Sequence, residues 1–330
     1  MALLIGMDEA GYGPNFGPLV ISATVWEVPG NPKRVDLWDE FSGIVDQAAP
    51  ENGSHIQIAD SKAVYTPARG LTNLESGVLH AMALCGRSAT NGEARRRAES
   101  LTAAPRSFRD LLSRVAVEPP EAIDCEPWFA GCDLLLPVPE PAALGDRWFE
   151  RCRERKIRLR AIRSEIVLTR RFNDHTRSHD SKGRALSEIS MQLLRHAWSE
   201  ADGDEHDAAL ILADKHGGRN RYHEFLPIVF GDRFIRCHAE SLDESRYRVG
   251  NAEVRFETRS ERYLPVALAS MVSKYVRELA MVLFNRFWTE RQPDLKPTAG
   301  YPGDSRRFKA AIAGLQQELG IAEDVLWRER

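Results

Sequence analysis

Two acidic residues, Asp8 and Glu9, end an apolar run and are followed at once by the turn-forming Gly11-Tyr12-Gly13-Pro14. Adjacent acids at a strand end are half of a divalent-cation site. Hard cations such as Mg2+ take oxygen ligands, and crowded carboxylates repel one another until a cation relieves them. Two such ions, about 3.5–4 Å apart, can make a water nucleophilic and stabilise a leaving oxygen, which is what phosphodiester hydrolysis requires. Asp214 closes a second apolar run, residues 208–213, and a further acid falls somewhere between Glu257 and Glu261. Successive side chains of a strand point to opposite faces. Asp8 and Glu9 therefore share one site only where the strand bends, and Gly11 and Gly13 make room for a bend. For any one of these acids taken alone, an ordinary solvated role explains it equally well.

The elements that must carry the acids are read from apolar periodicity. Residues 3–7 and 19–26 form two strands around the glycine turn, a hairpin that opens the fold. Asp60-Ser61-Lys62 sits in a polar loop, and residues 71–84 read as a helix. Residues 86–155 are less regular. They hold Glu93-Ala-Arg-Arg-Arg-Ala, a helical segment at 108–115 and a proline-rich run at 119–141. That shift predicts an insertion or small subdomain of unknown role within a catalytic domain formed by residues 1–85 and 156–330. Strands are expected at 158–168, 208–213, 229–230, 234–237 and 253–258. Leu186, Ile189, Leu193, Leu194 and Ala197 paint one face of a helix over 185–197. A long helix spans 264–288 with Pro265 in its first turn. Asp304 caps a last helix over 306–319, which Gly320 stops. Early strands followed by alternating helices and strands predict an α/β fold with a mixed sheet covered by helices.

The 330 residues balance 45 Lys and Arg against 48 Asp and Glu, a net charge of −3. A uniformly basic nucleic-acid binder is excluded, so any basic surface is local. One such place is the loop Lys215-His216-Gly217-Gly218-Arg219-Asn220-Arg221, where Lys215 is expected to reach a substrate phosphate beside Asp214. Arg151, Arg153, Arg155, Lys156, Arg158, Arg160 and Arg163 read equally as a nucleic-acid stripe or as a solvated face balanced by Glu150, Glu154 and Glu165. His175, His179 and Asp180 read as a mobile polar loop without a metal. Trp128, Trp148, Trp198 and Trp288 read as packing. The five cysteines show no CxxC pair, which argues against a disulfide framework or zinc ribbon and for reduced, mostly buried thiols in a cytoplasmic protein. The N-terminus lacks the pattern of a signal peptide, and no apolar run reaches the length of a membrane span.

Five segments, in order, resemble the type 2 ribonucleases H, that is, ribonuclease HII and its relative HIII. Gly6-Met-Asp-Glu-Ala-Gly-Tyr-Gly-Pro-Asn-Phe-Gly-Pro is similar to the family's first signature, Gly-x-Asp-Glu-Ala-Gly-x-Gly-Pro-x-x-Gly-Pro. Asp60-Ser61-Lys62 resembles its Asp-Ser-Lys element, and residues 210–214 resemble the strand carrying its third carboxylate. Ala267-Leu-Ala-Ser-Met-Val-Ser-Lys274 is similar to its Ala-Ala-Ser-Ile-x-Ala-Lys helix, and Gly300-Tyr301-Pro-Gly to its Gly-Tyr-Gly-Thr turn.

The resemblance implies a ribonuclease H-like fold, a four-carboxylate site for Mg2+ or Mn2+, and endonucleolytic cutting of RNA within RNA–DNA hybrids. Carried over by position, Asp8, Glu9 and Asp214 are three of the four ligands. For the fourth, counting back from Ser270 gives Ser260 and counting from Pro265 gives Glu261. Glu261 is favoured because serine is a poor metal ligand, with Glu257 the alternative. Gly11, Tyr12 and Gly13 stand where the family's Gly-Arg-Gly backbone reads the ribose 2′-hydroxyl, the group that separates RNA from DNA. Ser61 and Lys62 would meet a phosphate, and Tyr301 would stack on a sugar. This chain lacks the Arg of Gly-Arg-Gly, and Arg306 or Arg307 stands where a His often follows the Gly-Tyr turn. Two other readings remain: a hybrid- or duplex-binding protein with a degraded site, and a nuclease for another structured nucleic acid.

Overall fold

The computed structural model describes residues 1–51, 53–66, 68–87 and 104–329, so the arginine run after Glu93 lies outside the described residues. The opening hairpin is present as β1 (Ala2–Ala10) and β2 (Leu19–Val28), antiparallel from Ala10↔Val20 to Ala2↔Val28. β3 (Arg158–Val167) adds antiparallel to the free edge of β2. On the other side β4 (Ala209–Asp214) lies parallel to β1, and β7 (Ala252–Glu257) lies parallel to β4. The antiparallel pair β5 (Ile235–Glu240) and β6 (Glu244–Val249) completes a seven-stranded mixed sheet in the order β3-β2-β1-β4-β7-β6-β5. This is the α/β architecture that the alternation of elements predicts.

The strand pleat sorts apolar residues into two cores. Ala2 and Leu4 of β1, with Leu210 and Leu212 of β4, face one helical layer; Leu3, Ile5 and Met7, with Ile211 and Ala213, face the other. The first layer holds α2 (Thr72–Arg87), α3 (Phe108–Val115), α4 (Ala142–Arg155), α7 (Leu264–Arg291) and α8 (Pro302–Glu318). The second holds α5 (Thr169–His179) and α6 (Lys182–Glu200). The short α1 (Ser61–Val64) completes the numbering. Phe108, Leu111, Trp128 and Trp148, from the irregular stretch, join the same core as β1 and α7, and Trp198 joins the second. The tryptophans are thus packing residues.

The N-terminus of α7 lies directly on β1. A Cβ built on Gly6 would sit 2.2 Å from the carbonyl carbon of Pro265 and 2.4 Å from the Val266 nitrogen. Only glycine permits that approach. Thr24 seals it from β2 by donating its hydroxyl to the Pro265 carbonyl at 2.8 Å.

Several local expectations change. Residues 227–230 form a helical turn rather than a strand, because Pro227 opens it and Gly231, at φ 64°, closes it. Asp60 is not in a plain loop: its carboxylate accepts from the Lys62 N–H at 3.0 Å and caps α1. Asp304 lies inside the first turn of α8 rather than capping it. Residues 175–179 are helical, not a loop. Only Cys152 among the five thiols is fully buried, and Cys125 and Cys237 are exposed. The arginines from Arg151 to Arg163 are each ion-paired: Arg153 with Glu150, Arg155 with Glu40, Arg158 and Arg160 with Glu27, Arg151 with Glu154 and Arg163 with Glu200. They form the balanced face rather than a nucleic-acid stripe.

One buried acid tests the packing of the irregular stretch. Glu126 is 2% exposed; it accepts from Trp128 Nε1 at 2.8 Å and from the Thr169 N–H at 2.9 Å. Burial nevertheless pushes its carboxyl up to about 7. The folded value lies above the unfolded one, so its stabilising contribution is complete below about pH 4.5 and is lost as pH rises through about 7. The loss is roughly 3 kcal/mol. Urea unfolding at pH 5 and pH 8 should therefore show Glu126→Gln gaining about that much relative to wild type at the higher pH. A gap that does not change with pH would mean that the carboxyl ionises freely in the folded protein.

Candidate metal centre

The parallel registry brings the acids together. β1 and β4 pair up to Met7↔Ala213, so Asp8 and Asp214 are the next residues on adjacent strands, pointing to the α7 side like Leu4 and Leu212. Glu9 belongs to the opposite pleat, yet no bend is needed. The β1–β2 pairing runs unbroken through Glu9↔Ile21. Glu9 stands one residue before the end of β1, where the charges of Asp214 and Lys62 still act on it. Glu261 arrives from a 3-10 turn, Ser260–Arg262, between β7 and α7.

Neighbouring acids act on the carboxyls of Asp8, Glu9 and Glu261. Burial, then Glu9, raises the Asp8 carboxyl well above the usual range, with Glu261 and Asp214 adding to it. Burial and then Asp214 push Glu9 up to about 7, with Lys62 opposing. Glu261 is raised by burial and by Asp214 and Asp60. Lys62 is a cation set among these acids. Burial lowers its ammonium pKa, but Asp60, Glu261, Asp8 and Asp214 outweigh burial and hold it up.

Glu257, the alternative fourth ligand, is paired with Asp214 in register but is engaged otherwise. Arg262 forms an ion pair with it, and the Tyr263 hydroxyl donates to it at 3.2 Å. Ser260 donates its N–H and hydroxyl to Asp214 Oδ1 at 3.4 and 3.2 Å. Ser260, which stands next to Glu261 in the same turn, thus orients an acid.

Sequence reasoning overlooked the supports. Ser270 and Ser273 stand one turn apart on α7. Ser270 donates to Ser61 at 3.0 Å, while Ser273 donates to the Asp8 carbonyl at 3.0 Å. Hydroxyls at i and i+3 in an otherwise apolar helix were the signal for them. Asp60 was visible beside Ser61 and Lys62 but was not counted. Arg277 and Arg328 had no signal. Gly11, at φ +92°, carries no Cβ because one would lie 2.7 Å from Arg277 Cδ and from the Pro18 carbonyl. Arg328 reaches back from the C-terminus to donate to the carbonyls of Gly11 and Pro14. Two buried guanidiniums thus hold the glycine turn from behind.

The remaining expected residues divide. Tyr12 is half-buried, with Lys182 Nζ 4.4 Å from its ring centroid. Tyr301 is 45% exposed with the Arg277 guanidinium 5.6 Å from its ring centroid. Gly13 has no atom near its missing Cβ. Lys215 departs from expectation: it is buried, and its ammonium donates to Asn220 Oδ1 at 2.8 Å and to the Ser241 carbonyl. It braces its own loop and leaves Arg219 and Arg221 as the cations there. Those two residues, with Tyr12 and Gly217, line an open cleft of about 470 Å³. A second cavity of about 490 Å³, lined by Ile123, Leu168 and Arg170 among others, shares no residue with the acids.

The donor set is all hard oxygen, and the negative charge gathered there exceeds what Lys62 balances. Such a centre fits Mg2+ or Mn2+. No family model matches the chain, and no curated protein matches it. Solved structures do. Ribonuclease HII in its PCNA complex from Archaeoglobus fulgidus is 14% identical, with 99% of this chain and 94% of that one covered at a TM-score of 0.39. Ribonuclease H2 from Pyrococcus horikoshii OT3 is 14% identical over 98% of this chain and 92% of that one, at 0.39. Aquifex aeolicus RNase H3 is 13% identical over 98% and 71%, at 0.38. All three are ribonucleases H of the kind that the sequence motifs resemble.

Proposed function

We propose that this chain is a metal-dependent endonuclease of the type 2 ribonuclease H kind, hydrolysing the RNA strand of RNA–DNA hybrids. The observation that carries the reading is the registry that sets Asp8 of one strand beside Asp214 of the next, with the charges of Glu9 and Glu261 acting on the same carboxyls. These four would hold the cations. Bound there, Mg2+ or Mn2+ supplies an activated water and neutralises charge on the leaving 3′-oxygen. Ser260 holds the Asp214 carboxylate, and Ser273 holds the Asp8 backbone carbonyl. Lys62, exposed at the mouth, meets a substrate phosphate, and the backbone of Gly11 to Gly13 meets the ribose. Tyr301 offers an exposed ring to a sugar.

The test is a panel of three substrates with Mg2+ and with Mn2+: a full RNA–DNA hybrid, a DNA duplex holding one ribonucleotide, and all-DNA duplex. The expected result is cutting of the hybrid with 3′-hydroxyl products and no cutting of DNA. Equal cutting of all-DNA duplex overturns the ribose-reading role of the glycine turn. No cutting of any substrate, with tight hybrid binding, overturns the enzyme reading.

A further inference from the structure

The carboxylate centre leaves a second group of metal-type ligands unexplained. His175 and His179 lie four residues apart on one face of α5, and Glu188 faces them from the second turn of α6. One ligand atom from each lies within 4.8 Å of the other two. We propose that His175, His179 and Glu188 form a site for a borderline divalent cation of the Zn2+ class, tying α5 to α6.

The donors are the first argument. Two imidazoles and one carboxylate suit Zn2+, whereas Mg2+ prefers oxygen throughout. Ions bound at about 2.0–2.2 Å hold tetrahedral ligands roughly 3.3 Å apart. His179 Nε2 and Glu188 Oε2 are already at 2.8 Å, so an ion entering between them asks for only a small separation. The second argument is orientation. Arg184 holds the other carboxylate oxygen, Glu188 Oε1, at 2.8 Å, which leaves Oε2 for the ion. Such a partner behind a ligand fixes its direction. Arg171, whose charge acts on His175, is ion-paired with Glu165 and Glu118. Asp180 does not belong to the group: it is the left-handed residue, φ 47°, that turns α5 into α6. Three protein ligands leave a fourth position for water.

The position gives the ion a structural task. Asn173 and Arg177 of α5 hold the C-terminal segment, through the Trp327 carbonyl at 2.9 Å and Glu329 at 2.5 Å. That segment carries Arg328 to the glycine turn. Lys182, at the start of α6, lies against Tyr12 of the same turn. An ion between the two helices fastens both supports of the turn at once.

The experiment titrates full-length protein with Co2+ in excess Mg2+, so that the carboxylate centre is filled. One equivalent should give tetrahedral visible bands without thiolate charge transfer, and Zn2+ should remove them. His175→Ala and His179→Ala should each weaken binding at least tenfold, and Glu188→Gln should do the same. Zn2+ at a hundredfold excess over its Kd should raise the wild-type melting temperature by roughly 4 °C and leave the His175→Ala/His179→Ala double variant unmoved. An octahedral spectrum, or unchanged binding by a double variant that melts normally in chelator, overturns the site. Hybrid cleavage is not the readout, so the outcome is independent of the proposed nuclease activity.

Discussion

Replacing Asp214 or Asp8 by Asn should lower metal-dependent hybrid cleavage by a factor on the order of a thousand or more, the equivalent of about 4 kcal/mol of transition-state stabilisation. The fold should survive, because Asn fills the same volume. Stability without metal should stay level or rise. Asp8 is 8% exposed, and its carboxyl is raised by burial and then by Glu9, so the charged form is already disfavoured there. A neutral amide removes that cost. Mg2+ should therefore raise the melting temperature of wild type more than that of either variant. The check is cleavage rate together with thermal melts in chelator and in Mg2+. Full Mg2+-dependent activity in either variant refutes the assignment, and a collapse of the melting temperature in chelator refutes the repulsion argument.

Gly6→Ala should be severe for a different reason. The added Cβ meets backbone atoms of Pro265 and Val266 at 2.2 and 2.4 Å, and backbone cannot rotate aside as a side chain can. The first turn of α7 must lift from β1. Overpacking of this kind costs about 3 kcal/mol or more. The lift also carries Ser273 away from the Asp8 carbonyl and Ser270 away from Ser61. Activity should then fall further than the folded fraction alone accounts for. Urea unfolding together with cleavage rates for Gly6→Ala separates the two losses. Near-native stability would mean that the helix–strand contact yields easily.

The sequence alone carried far for the elements and for three acids. Period-2 and period-3.6 patterns are local, so the hairpin, β4 with Asp214 at its end, and the long helix from Leu264 were legible. Asp8 and Glu9 stood out because charge ends an apolar run there. The errors arose where local composition does not decide. Residues 227–230 are apolar enough for a strand, but Pro227 and Gly231 make a turn. Lys215 carries a charge in a basic loop, yet its direction depends on the Ser241 carbonyl far along the chain.

What the sequence determined by itself is the strand-end pair Asp8 and Glu9 with its glycine turn, because each rests on neighbours within a few residues. Tertiary structure decided what gathers around that pair. Parallel pairing sets Asp214 beside Asp8. Arg262 occupies Glu257 while Glu261 feels the charge of the centre. Arg277 and Arg328 hold the glycine turn from opposite ends of the fold's later half. Such choices depend on which side chains meet across long stretches of chain, and no local pattern of residue types encodes that.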